Sequence, residues 1–226
     1  MTPIENMTQN GKKIFKYFSK GFSLTKKITS QEYDELIDQA VFPLYKKALK
    51  KTLLDSSECK RKPEMFFAPT SAKKSLGERH FKKGEDNVLR FIPIVVTIMN
   101  FTAHELVIYQ CLFDPTTEVA LNESTWTYFY KEIVSLETKQ DSGEGEFLTP
   151  TKKMLYKIPV VNLFIKGKHK QFNVSQEFIL TTRGSSKYKV RLSDFEILDE
   201  IGGEFETSDV EKTIKAIRSA LRDKQR

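Results

Sequence analysis

From Val88 onward the sequence stops repeating every three or four residues and begins to alternate every two. Segments rich in Val, Ile, Phe, Tyr and Thr fall at 89–100, 105–113, 126–138, 154–166, 176–183 and 187–193. Turn chemistry separates them: Asp114-Pro115, Asp141-Ser142-Gly143, Gly167 and Gly184-Ser185-Ser186. No helical crossover pattern lies between these segments, so the strands are expected to pair antiparallel. The Gly184 turn joins Phe178–Thr182 to Tyr188–Leu192. There Tyr188, Val190 and Leu192 alternate with Lys189 and Arg191, which predicts a hairpin with one apolar face. The run Phe91–His104 carries no Asp, Glu, Lys or Arg over 14 residues. That is short of the ~20 a spanning helix needs, and its β-branched content predicts a buried strand.

Helical patterns bracket this region. Thr29 followed by Glu32 reads as a capping box, in which each side chain satisfies the other's free backbone N–H. Tyr33, Leu36, Ile37, Ala40, Val41, Leu44, Ala48 and Leu49 then recur at helical spacing. Pro43 interrupts the pattern and predicts a kink or two short helices. At the other end, Ser208 and Glu211 form a second capping-box pair before the stripe Val210, Ile214, Ile217, Leu221. Between 57 and 87 the chain is polar and basic, with Pro63, Pro69, Gly77 and Gly84, and reads as a linker. The expected organisation is a basic helical extension (1–56), a linker (57–87) and a β domain with a terminal helix (88–226).

Several phrases inside the β region, taken in order, are similar to those of bacterial pleckstrin-homology-like and GRAM-type domains. Phe101-Thr102-Ala103-His104-Glu105-Leu106-Val107-Ile108-Tyr109 resembles their T-x-x-x-L-x-x-Y phrase, where a strand ends and turns at a threonine. The stretch Tyr128 to Leu136 resembles their Y-x-D-I-x-S-V phrase, with Glu132 in the place of Asp. Phe178 to Gly184 resembles their later L-T-T hairpin. The resemblance covers roughly residues 88–224. It implies an α+β fold, mainly antiparallel β: a barrel or sandwich closed by a C-terminal amphipathic helix. It also implies scaffolding rather than chemistry.

Motifs for catalysis are missing. There is no G-x-x-x-x-G-K-[ST] or G-x-G-x-x-G phosphate loop and no G-x-S-x-G elbow. His80, His104 and His169 are scattered, none four residues from another, and neither Cys59 nor Cys111 has a nearby His, so no metal or cofactor is expected. The two cysteines are read as free thiols in a reducing, cytoplasmic setting.

Charge points to the front of the chain. Residues 1–85 hold 18 basic and 10 acidic residues, whereas the remainder holds 19 and 20. On a helical wheel over 12–27, Ile14, Phe15, Phe18 and Phe22 share one arc, and Lys12, Lys13, Lys16 and Lys20 lie opposite. Such a basic amphipathic helix suits an anionic membrane surface or a groove on a protein partner. The reading favoured here is a strap whose rings dock on the protein's own body, because an isolated helix of this length is marginal in water and needs an apolar partner. A weaker candidate is a basic turn, Lys166, Lys168 and Lys170 around Gly167 and His169. The leading functional expectation is a non-catalytic intracellular binding module, cytoplasmic or peripheral to a membrane. The alternatives are nucleic-acid binding through residues 1–85, which the near-neutral strand region argues against, and an enzyme site assembled from scattered residues.

Overall fold

The structure is a computed structural model. It describes residues 4–19, 27–70, 79–86, 88–147 and 168–191, with 214, 215, 218, 219 and 222 beyond them. The elements are α1 (Gln9–Phe18), α2 (Ser30–Thr52), β1 (Glu64–Pro69), β2 (His80–Lys83), β3 (Leu89–Ile92), β4 (Ile94–Phe101), β5 (Glu105–Asp114), β6 (Val119–Phe129), β7 (Ile133–Phe147), β8 (Lys168–Thr182) and β9 (Lys187–Arg191). The fold is α+β with antiparallel pairing throughout. A main sheet has the order β1-β4-β5-β6, a small one pairs β2 with β3, and a third has the order β7-β8-β9. Among the described residues the strands form three sheets and no closed barrel.

The centre of the molecule is the β4–β5 pair. Successive side chains on a strand point to opposite faces, and here both faces are apolar. Ile94, Val96 and Ile98 lie opposite Phe113, Cys111 and Tyr109, and all six belong to one core cluster with α1 and α2. Met99 and Phe101 lie opposite Ile108 and Leu106 and belong to a second cluster. That second cluster holds Ile133, Phe178, Leu180 and Tyr188 of the third sheet. The main sheet is therefore sandwiched between helices on one side and the third sheet on the other. This is why Ile94–Phe101 reads as an apolar run instead of an alternating one; the expected single strand over 89–100 is two, since Leu89–Ile92 pairs with β2 in the small sheet and the chain enters the main sheet only after Pro93.

Thr102 organises the β4–β5 turn, as the threonine phrase implies. Its Oγ1 accepts from the N–H groups of His104 and Glu105 at 3.2 and 3.1 Å. The Gly184 hairpin is also present, with Ile179 opposite Lys189 and Leu180 opposite Tyr188. The capping box of α2 forms in both directions, Glu32 N to Thr29 Oγ1 at 3.1 Å and Thr29 N to Glu32 Oε2 at 2.9 Å.

Several expectations are corrected. Residues 57–87 are not a featureless linker: β1 pairs with β4 along its whole length, and β2 pairs with β3. Phe66 and Phe67 supply β1 with one apolar group for each core, and Pro69 sits at its end, on an edge strand where a missing N–H is tolerated. Pro43 does not split α2, because its buried side chains on both sides of the proline, Tyr33 to Ala48, pack into one cluster. The segment 126–138 is two strands in different sheets, broken by the 3₁₀ turn Tyr130–Glu132. Asp141-Ser142-Gly143 is not a turn; it lies within β7, where the register shifts as at a bulge. The strand expected at 154–166 and the cap Ser208, with Val210, Ile217 and Leu221, lie outside the described residues. Residues 214, 215, 218, 219 and 222 are helical; Ile214 is buried in the second cluster, and Lys215, Arg218 and Arg222 are exposed.

Two-sided burial makes a direct prediction. Ile98→Ala and Ile108→Ala remove side chains from opposite faces, both fully buried. Each should lower unfolding free energy by about 2–5 kcal/mol in denaturant melts. A near-neutral result for either would mean that its face of the sheet is open to water.

Candidate basic surface of the N-terminal helix

Helix α1 begins earlier and ends sooner than the wheel over 12–27 suggests. Thr8 caps it, its side chain accepting from Gly11 N at 2.9 Å, and the backbone is extended again by Ser19. Lys20 and Phe22 lie outside the described residues. The helix is tied down at both ends. Near the start, Thr8 N donates to Thr116 O at 3.0 Å, and Gly11 passes so close to the Thr116 backbone that a side chain there would overlap its carbonyl. This close approach explains a glycine inside a helix, where it otherwise costs about 1 kcal/mol. Near the end, Lys82 of β2 donates to Tyr17 O at 2.7 Å and stands 4.0 Å over the Tyr17 ring. A cation at a helix C-terminus meets unpaired carbonyls and the negative end of the helix dipole.

The apolar side of α1 is committed to the body. Ile14 and Tyr17 are buried, and Phe15 and Phe18 are half-buried against the first core cluster. Phe15 meets His80 edge-on at 5.1 Å, and Phe18 meets Tyr33 edge-on at 5.5 Å. Tyr17 packs 4.6 Å from Tyr33 and shares a 3.2 Å hydrogen bond with Ser30. The structure thus separates the candidate residues. Phe15 and Phe18 face the protein, Lys12 and Lys13 are exposed, and Lys16 is half-buried. None of these three lysines forms an ion pair with another described residue. Contact between Phe15 and His80 brings β2 alongside, and Lys82, on the same face of the strand as His80, is held at the end of α1 by its bond to Tyr17 O, while Lys83 points to the other face. Lys82 escapes a helical-wheel analysis because tertiary packing, and not sequence spacing, brings it there.

The expected basic turn is corrected. Lys168 and Lys170 open strand β8, opposite Phe147 and Gly145, and Lys166 lies outside the described residues.

Other polar groups serve the fold. Arg90, 5% exposed, donates to both carboxylate oxygens of Asp34 at 2.8 and 2.6 Å and to both of Asp86 at 2.8 and 2.7 Å. This fork locks α2 to the β2–β3 hairpin. Its hydrogen bonds hold the Asp86 carboxyl down to about 2. On the far side of α2, Glu123 accepts from Tyr109 Oη at 2.8 Å and pairs with Lys47 at 2.9 Å. Burial pushes the Glu123 carboxyl up, but the bonds from Lys47 and Tyr109 outweigh it and hold it low. Burial pushes the Cys111 thiol up to about 11, so it is protonated at neutral pH. His104 is exposed at the β4–β5 turn, far down the strand from Cys111, and cannot activate it. Among the described residues no three His, Cys, Asp or Glu side chains gather as a metal site. Nor is any described helix long and apolar enough to cross a membrane. Set against protein-family models, curated proteins and solved structures, the chain matches none.

The Arg90 fork predicts an acid limb. A depressed carboxyl contributes stability that is complete above its unfolded value near 4 and is lost as pH falls through about 2. Asp86→Asn should therefore be less stable than wild type at neutral pH, and the gap should close in acid. A gap that stays constant with pH would show that Asp86 acts only through packing.

Proposed function

We propose that this chain is a non-catalytic intracellular binding module of pleckstrin-homology-like type, which meets an anionic membrane surface through the lysine face of α1. The carrying observation is that Lys12 and Lys13 are exposed and lack a described carboxylate partner, on a helix whose other side is anchored in the core. A basic face held on a docked helix needs little ordering when it binds, which favours association. Antiparallel sheets following the phrase order described above support the pleckstrin-homology-like part of the reading. The raised thiol of Cys111 and the structural use of Arg90 and Glu123 support a non-catalytic role.

Because Phe15 and Phe18 are engaged in the protein, contact through α1 is electrostatic. Each lysine near an anionic surface contributes about 1 kcal/mol, and salt screens the attraction over a Debye length of about 10 Å at 0.1 M. The test is co-sedimentation with vesicles of phosphatidylcholine alone and of phosphatidylcholine with phosphatidylserine. Wild type should bind only the anionic vesicles and release at high salt. Lys12→Gln/Lys13→Gln should weaken binding by about thirtyfold with an unchanged melting temperature. Wild type ignoring anionic vesicles at low salt would overturn the proposal.

A further inference from the structure

Among the three histidines of the chain, His80 is the one that packing brings to the lysine-bearing helix. Its half-buried ring meets both phenylalanines that dock α1, Phe15 edge-on at 5.1 Å and Phe18 at 6.0 Å. Lys12 and Lys16 flank Phe15 along the helix, three residues before it and one after. Lys82, two residues on and on the same face of β2, stands over the Tyr17 ring. The other histidines lie elsewhere. The start of α1 is tied to Thr116, just past the end of β5 that pairs with the start of β4, whereas His104 follows the end of β4, about 25 Å along the strand. His169 belongs to the third sheet, on the opposite side of the main sheet from the helices.

We infer that His80 makes the binding of α1 to an anionic surface depend on pH, the surface being held more tightly when the imidazole is protonated. The inference rests on the membrane reading above and adds its regulation. Imidazole is the side chain that ordinarily changes charge between pH 5 and 8. In the free protein, Lys12, Lys16 and Lys82 oppose one more positive charge. An anionic surface set against the lysines offsets that opposition and attracts the imidazolium itself. Lys12 is about 5 Å of helix from Phe15, and Phe15 touches the imidazole, so the distances are comparable with the Debye length of about 10 Å at 0.1 M. Binding therefore takes up a proton, and by linkage a fall in pH tightens binding.

The remaining charges of the packed elements do not already supply the anion. Asp34 and Asp86 share Arg90 and so leave one negative charge, which Lys82, directly opposite Arg90, offsets. Glu32 is held in the capping box of α2. Glu35 and Asp38 stand about 160° and 140° round α2 from Tyr33, the residue that meets Phe18. On β3, Ile92 lies opposite His80 and is uncharged. Arg79 stands over the Phe81 ring, Lys83 points to the other face of β2, and Glu85 lies beyond the end of the strand.

The test repeats vesicle sedimentation with the full chain at about pH 7.5 and about pH 5.5, spanning most of the imidazole range. Wild type should bind anionic vesicles about fivefold more tightly at the lower pH. His80→Gln should lose that gain and melt like wild type, and His104→Gln should keep it. His80→Lys carries the charge permanently, so at the higher pH it should bind as wild type does at the lower. Equal binding of wild type at both pH values sinks the inference and leaves the lysine reading standing. A gain that survives in His80→Gln overturns the inference, because the proton is then taken up elsewhere. If His80→Gln melts early, His80→Lys decides, and binding no tighter than wild type at the higher pH overturns the inference. If wild type ignores anionic vesicles at both pH values, the reading and the inference fail together.

Discussion

Burial of the β4–β5 pair on both faces is the constraint from which the rest of the molecule follows. A two-stranded ribbon has no interior, so each face needs a cover. Ile98 and Tyr109 on one face, and Met99 and Ile108 on the other, are all fully buried. The second cover is the third sheet, reached through the Tyr130–Glu132 turn. The first cover is helical, and α2 alone does not complete it. Helix α1 fills the remaining width with Ile14 and Tyr17.

That requirement fixes how the N-terminal segment can act. A free amphipathic helix of ten residues would be marginal in water. Docked, it persists, but its rings are no longer available to a partner. Its lysines are left outward on a surface whose shape is set by the core. The polar ties around the helices have the same character. Arg90 and Glu123 fasten α2 on its two flanks, one to the β2–β3 hairpin and one to β6. Each ties a side chain of α2 to a neighbouring strand or turn.

Much of this is legible in the residues. The apolar stretch that becomes β4, the Gly184 hairpin and the Thr29–Glu32 box all rest on local patterns that tertiary packing reinforces, whereas the break at Pro93 that puts Leu89–Ile92 in another sheet does not show in the run. What escapes the sequence depends on pairing. Strand β1 is six residues that follow one proline and end on another, and only its register with β4 makes it a strand. The bulge at Asp141 and Ser142 carries the same residue types as a turn. The lysines of α1 are legible from the wheel, but the end of the helix at Phe18 and the neighbouring Lys82 are not.

The central claim is that α1 is part of the body and not a free anchor. Native-state amide hydrogen exchange tests it most directly, because protection reports whether a helix opens on its own or with its surroundings. The account predicts that amides of β4 and β5 exchange only through global unfolding. It also predicts that amides within α1 are strongly protected in the absence of lipid. Exchange of α1 at the rate of an unfolded peptide, with β4 and β5 still protected, would contradict it.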